Sequence, residues 1–249
     1  MAVPNSNKFE ATRVAAEEDL EFFIKLIAPH RVLGGIHKDV IKWWTREDAK
    51  SHQLLLLPRD HQKSVLVAYR VAWEITNNPA VTVMYLSSTS SLAEKQLKFI
   101  KNILDNPIYK RYWPDMIDPM EGKREKWSAT EIIVDHPIRK REAPGDPTVF
   151  VGGLTTSLTG FHCDIAVLDD VVVQENAYFR EGRTKVESQY SLLASIETTG
   201  AREWVVGTRY HPDDLYGKML EMVAEEFDET GDIVSQSDIY EVMQHQVES

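Results

Sequence analysis

Apolar positions along the chain change their period several times, and each change predicts an element. Residues 17–29, EEDLEFFIKLIAP, and residues 36–45, IHKDVIKWWT, repeat apolar side chains at the spacing of an amphipathic helix. Gln53–Leu57, with four consecutive leucines, reads as a strand buried on both faces. A helical pattern resumes from Lys63 to about Thr76 and stops at the breaker cluster NNPA. VTVMYLS (81–87) predicts a second strand, and Ser91 with Glu94 makes a capping box for a helix reaching about Leu104. Residues 107–147 break this rhythm: six prolines, scattered charges and a short EIIVD read as an insertion resembling a β-hairpin. TVFVGGL (148–154), DIAVLDD (164–170) and REWVVGT (202–208) predict three more strands, with a helix over about 176–193. HPDDLYGKMLEMVAEE then opens another helix, with Pro212 in its first turn and Asp213 and Asp214 at the positive end of its dipole. Residues 230–249 are polar and acidic and carry no strand pattern.

Strands alternating with helices predict an α/β fold, a mostly parallel sheet flanked by helices. Ligands of such sheets sit at the carboxyl ends of strands. Lys63, Asp169, Asp170, Gly207 and Thr208 all fall just after apolar strands, so they are expected to converge on one edge.

Composition narrows the partners. The 249 residues suffice for one large domain, and 43% hydrophobic with 27% charged residues is ordinary for a soluble protein. No apolar run approaches the roughly 20 residues of a membrane span, and the opening MAVPNSNKFEATRV has no signal-peptide pattern, which predicts an intracellular protein. Cys163 is the single cysteine, so no internal disulfide forms, and no Cys/His spacing suggests a metal centre. The net charge of −11 restricts nucleic-acid contact to local basic runs such as KRYW, EGKREKW and PIRKREAP, each of which on its own reads first as a solvated loop.

The stretch LLLLPRDHQKSVLVAY carries the most chemistry. Aligned with the phosphate-loop pattern G-x-x-x-x-G-K-[ST], it places Pro58 and Gln62 at the glycine positions, with Arg59, Asp60 and His61 between them. Lys63 would reach the β- and γ-phosphates and Ser64 would ligand Mg²⁺. Gln62 must then point its side chain outward and accept strain on the order of 1–3 kcal/mol. The competing reading is a plain strand–turn–helix connection. Asp169 and Asp170 end a buried strand, where one acid can hold Mg²⁺ and the next can orient a water; turn acids are the alternative. Thr208 offers a hydroxyl able to sense a γ-phosphate.

With LLLLPRDHQKS, TGFHCDIAVLDDVV and VVGTRYHPDDLYG in this order, the chain resembles the ATPase domain of the large terminase subunit of tailed bacteriophages over about residues 35–220. The resemblance implies a P-loop NTPase core of the RecA-like (ASCE) type, a phosphate loop that needs no glycines, and Arg59 as the in-loop arginine on the γ-phosphate. It implies residues 1–225 as an ATPase domain (1–50 helical, 51–210 the core) and 226–249 as a linker or tail. It makes ATP and Mg²⁺ the cofactors. Asp170, Arg59 and Lys63 become catalytic, Ser64 and Asp169 metal-binding, and Gly207 and Thr208 coupling residues. The run Gly160, His162, Asp164 also resembles the family. Where many members have Asp-Glu this chain has Asp-Asp, so Glu175 is a second candidate to position water. Thr159 stands where many members carry an arginine serving a neighbouring subunit, leaving Arg139, Arg141, Arg180 and Arg209 as candidates. Gln53, Trp43 and Trp44 are candidates for an adenine pocket, with core packing the alternative.

The implied function is an ATP-driven motor moving double-stranded DNA into a procapsid. It would act in the host cytoplasm as a homo-oligomeric ring, with the portal protein and the small terminase subunit as partners and a monomer in isolation. Too few residues follow Gly217 for the family's nuclease domain, so no nuclease activity is expected here. A helicase-like DNA translocase and a non-catalytic nucleotide-binding adaptor are the competing functions.

Overall fold

Apolar runs become the inner strands of one sheet. A computed structural model describes residues 6–156, 160–193, 197–228 and 232–245. Three helices come first: α1 (Ser6–Glu18), α2 (Leu20–Ile27) and α3 (Gly35–Thr45). β1 (His52–Leu56) leads into α4 (Lys63–Asn77), and β2 (Val83–Ser87) into α5 (Ser90–Leu104). Then come α6 (Pro107–Tyr112), β3 (Glu131–Ile132), α7 (Pro137–Glu142) and β4 (Val149–Gly153). β5 (Cys163–Asp169) precedes α8 (Gln174–Ala177) and α9 (Arg180–Ser191), and β6 (Glu197–Gly207) precedes α10 (Leu215–Met219). β7 (Val223–Phe227), β8 (Ile233–Asp238) and β9 (Glu241–Gln244) follow. No described helix is long and apolar enough to cross a membrane.

The main sheet has the strand order β3-β4-β2-β5-β6-β1-β9, and all its pairings are parallel except β3 with β4. Parallel strands covered on both faces must be apolar on both, and β1, β2 and β5 are buried almost throughout. One face packs α2 to α5 through residues such as Phe23, Trp44, Leu66 and Leu97. The other packs α9 and α10 through Val186, Tyr216 and Met219 against Leu54, Leu168 and Val205.

The structure departs from the sequence reading at several places. The proline-rich stretch holds a tight hairpin, in which Trp127 bridges Ile132 antiparallel and Ile133 N donates to Lys126 O at 3.0 Å, but also two short helices: α6 and α7 each start at a proline, whose fixed φ suits a first helical position. Thr89, not Ser91, caps α5, accepting from Leu92 N at 3.3 Å. The helix expected to run through VAEE stops at Met219, because residues 223–227 pair with β8; helix propensity is weak and cross-strand pairing overrides it. The strandless ending is likewise overturned: β9 extends the main sheet beside β1, so the expected linker over 226–249 includes a sheet strand.

Between β1, β6 and the segment before β9 lies a buried acid. Glu203 is 2% exposed, and its carboxyl accepts from the hydroxyls of Tyr240 and, at 3.5 Å, Tyr190. His52 and Glu197 also face it. Burial pushes Glu203 up to about 8 and pushes His52 below its usual 6.5. Above pH 6.5 the unfolded chain has released the protons of both groups, while the folded chain still holds that of Glu203. Stability should therefore fall between pH 6.5 and 8, by up to about 1.4 kcal/mol per pH unit. Urea unfolding across that window should show the decline, and Glu203→Gln should flatten it.

Candidate active site

β5, β6 and β1 lie side by side, so the loops leaving their carboxyl ends share one edge. Lys63 opens α4 there and is 5% exposed. Its Nζ donates to Thr208 Oγ1 at 2.9 Å and lies 3.5 Å from Asp170 Oδ1. The Ser64 hydroxyl donates to Asp169 Oδ1 at 2.8 Å, and the Tyr85 hydroxyl donates to Asp169 Oδ2 at 2.8 Å. Thr208 Oγ1 donates in turn to Leu57 O at 3.0 Å, tying the end of β6 to the start of the loop. Residues distant in sequence thus form one continuous hydrogen-bonded set.

Two acids beside one ammonium in a desolvated corner make an electronegative site. Burial, and then the neighbouring Asp170 charge, push Asp169 up to about 6, against the pull of Ser64, Tyr85 and Lys63. Burial raises Asp170 as well, while Lys63 and Arg59 oppose it. Desolvated carboxylates next to a hydroxyl are hard oxygen donors, so Ser64 and Asp169 fit a hard divalent cation such as Mg²⁺.

The loop takes its shape without glycine. Gln62 precedes α4 with φ 52°, ψ 23°, and Asp60 has φ 66°, both left-handed. Gln62 turns its side chain outward, where Oε1 accepts from Arg31 Nη1 at 2.9 Å. Arg31 in turn lies over the rings of Tyr69 at 5.5 Å and Phe99 at 5.9 Å. Gln62→Gly should therefore leave folding intact or stabilise it by up to about 1 kcal/mol, measured by urea unfolding. His61 Nδ1 donates to Arg59 O at 2.8 Å. Arg59 Nε donates to Tyr210 OH at 2.8 Å, and its guanidinium lies 5.4 Å from that ring. This hydrogen bond favours the arginine charge, and the nearby Asp170 and Glu175 act in the same sense. Asp170 also has a positive φ of 47° at the strand end, a costly conformation for a residue other than glycine.

Other sequence candidates lie elsewhere. Gln53 is buried in β1, accepting from Arg70 Nη2 at 2.8 Å, and Arg70 lies between Trp44 and Trp204. Gln53 and Trp44 thus belong to the packing around Arg70, and Trp43 offers its carbonyl to Gln53 Nε2 at 3.4 Å. Arg139 is a structural residue, 4% exposed, bonding the carbonyls of Pro79, Ala80, Val81 and Asp146. Asp164 Oδ2 accepts from Thr82 N and Oγ1, both at 2.9 Å, latching β5 to β2 at their amino ends. Gly160 has φ 87° in the approach to that strand, and Thr159 lies outside the described residues. Sequence reasoning missed Tyr85: a tyrosine in an apolar strand reads as core, and only the β2–β5 register reveals its carboxylate partner.

One strand, β6, separates the strand that carries the loop from the strand that carries the acids. That arrangement defines the class, an α/β fold with a RecA-like core. No established family profile matches the chain. The large terminase subunit of Enterobacteria phage T3 is 25% identical over 175 residues, covering 64% of this chain and 28% of that protein. Among solved structures, the HK97 bacteriophage large terminase superposes with a TM-score of 0.54 at 15% identity, over 82% of this chain and 40% of that one. A mutant of the large terminase ATPase domain of Thermus phage P74-26 gives 0.52 at 14% identity, over 90% of this chain and 84% of that one. Both comparisons fall on phage large terminases; the chain shares the fold of their ATPase domain and spans under a third of the length of the T3 protein.

Proposed function

We propose that the chain hydrolyses ATP with Mg²⁺ and serves as the motor that drives double-stranded viral DNA into a procapsid. The observation that carries this reading is the meeting of Lys63, Ser64, Asp169, Asp170 and Thr208 at three adjacent strand ends. Lys63 and Arg59 stabilise charge on the transferring phosphoryl oxygens, acting from fixed positions in a partly desolvated cleft. Backbone N–H groups of residues 59–64, leading into α4, cradle the remaining phosphate oxygens. Ser64 and Asp169 would hold the metal ion, which would supply positive charge against the phosphates, and Tyr85 keeps Asp169 oriented. Asp170 orients the attacking water. Thr208, bonded to both Lys63 and the loop, relays phosphate loss along the segment leading to α10 through Gly207 and Asp214. Portal protein, the small terminase subunit and further copies of this chain in a ring are the partners this function requires, with the host cytoplasm as its setting.

Asp170 is favoured over Glu175 as the water-positioning acid because it touches Lys63, whereas Glu175 is exposed on α8. Phosphate release, assayed with and without double-stranded DNA, tests the assignment. Asp170→Asn should cut turnover by about a hundredfold or more while ATP still binds, and Glu175→Gln should cut it less than tenfold. The reverse order would transfer the role to Glu175.

A further inference from the structure

The phosphate loop accounts for a triphosphate but leaves the nucleoside without a place, since Gln53, Trp43 and Trp44 lie away from the loop. A cavity of about 450 Å³ opens directly beside the loop instead, a size within the usual range for small-molecule sites. Pro58 lies at its base, Tyr210, His211 and Pro212 follow β6 along one side, and Gln244 and His245 end β9 on the other. Thr208, which accepts from Lys63 Nζ, lines the same cavity, so the space is continuous with the phosphate end of the cleft.

Both sides are fixed in position. Asp214, 1% exposed, accepts through Oδ2 from Tyr210 N at 3.2 Å and His211 N at 3.1 Å, and through Oδ1 from Gly217 N at 2.9 Å. The Tyr210 hydroxyl accepts from Arg59 of the phosphate loop. Opposite, Gln244 is in register with Leu56, and His245 N donates to Leu56 O at 3.0 Å. Aromatic rings and prolines offer flat apolar surfaces for stacking, and a carboxamide offers a donor and an acceptor side by side, which a base edge can match.

We propose that this cavity holds the base of the nucleoside triphosphate, a purine, stacked along residues 210–212 and read at its edge by Gln244. The proposal rests on the nucleotide reading given above. It makes β9, drawn from a stretch that reads as a polar tail, part of the nucleotide site.

Calorimetric titration of the whole chain with MgATP, MgCTP and magnesium tripolyphosphate tests it. The unaltered protein should bind ATP more tightly than CTP or tripolyphosphate. Gln244→Ala should weaken ATP by about three- to tenfold, the worth of one or two hydrogen bonds, and leave tripolyphosphate unchanged. Gln244→Trp, which fills the cavity, should bring ATP down to the affinity of tripolyphosphate. Unchanged ATP binding in both variants, equal affinity of the unaltered chain for ATP and tripolyphosphate, or an equal loss of both ligands in Gln244→Ala would each overturn the base site while leaving the phosphate site standing. Failure of the unaltered chain to bind either ligand would instead remove the phosphate reading, and this proposal with it.

Discussion

Lys63→Ala should abolish ATP hydrolysis, lowering phosphate release by at least about a hundredfold. The Lys63 ammonium is nearly buried, touches both Thr208 and Asp170, and is the cation nearest the twin acids. Its loss removes the charge that would meet the γ-phosphate and leaves the two carboxylates facing each other with less compensation. Asp169→Ala should match it, because that change removes the partner of Ser64 and Tyr85 together. Both variants need a fold control by circular dichroism and urea unfolding. If both hydrolyse ATP at the unaltered rate, these residues do not form the active site.

Gly207→Ala should cost about 3 kcal/mol of stability and most of the activity. A Cβ at this position would overlap the ring of Tyr216, which is fully buried and accepts from Val172 N at 3.3 Å. The ring therefore braces the end of β6 against the segment that follows Asp170. Displacing it shifts Thr208 and Asp170 at once, which ties a packing defect to the chemistry. Urea unfolding and phosphate release should fall together. Since the overlap is with one side chain, Gly207→Ala combined with Tyr216→Ala should cost less than the sum of the two changes. Full additivity would show that the ring is not what makes glycine necessary.

The reactive residues were legible in the sequence because parallel strands buried on both faces appear as uninterrupted apolar runs, and such runs locate the edge where ligands gather. Lys63, Ser64, Asp169, Asp170 and Thr208 stand at the ends of those runs, so their convergence follows from the alternation of elements alone. The left-handed conformation required of Gln62 was likewise foreseeable from the missing glycine; its outward anchor, Arg31, was not, because α3 and β1 lie between the two in sequence. Tyr85 and Gln53 went astray for a shared reason: in an apolar strand, residue type does not say which neighbour a polar group will meet. The ending failed differently. EVMQ is too short to show a period, and β9 becomes a strand only because β1 offers it an unpaired edge.

Most of this account depends on the helix-opening Lys63–Ser64 pair and the Asp169–Asp170 pair serving one nucleotide. A crystal structure with a non-hydrolysable ATP analogue and magnesium measures that directly. The account predicts a magnesium ion between Ser64 and Asp169, with the γ-phosphate beside Lys63 and within reach of Arg59. A nucleotide bound elsewhere, or a metal ion that touches neither Ser64 nor Asp169, would contradict it.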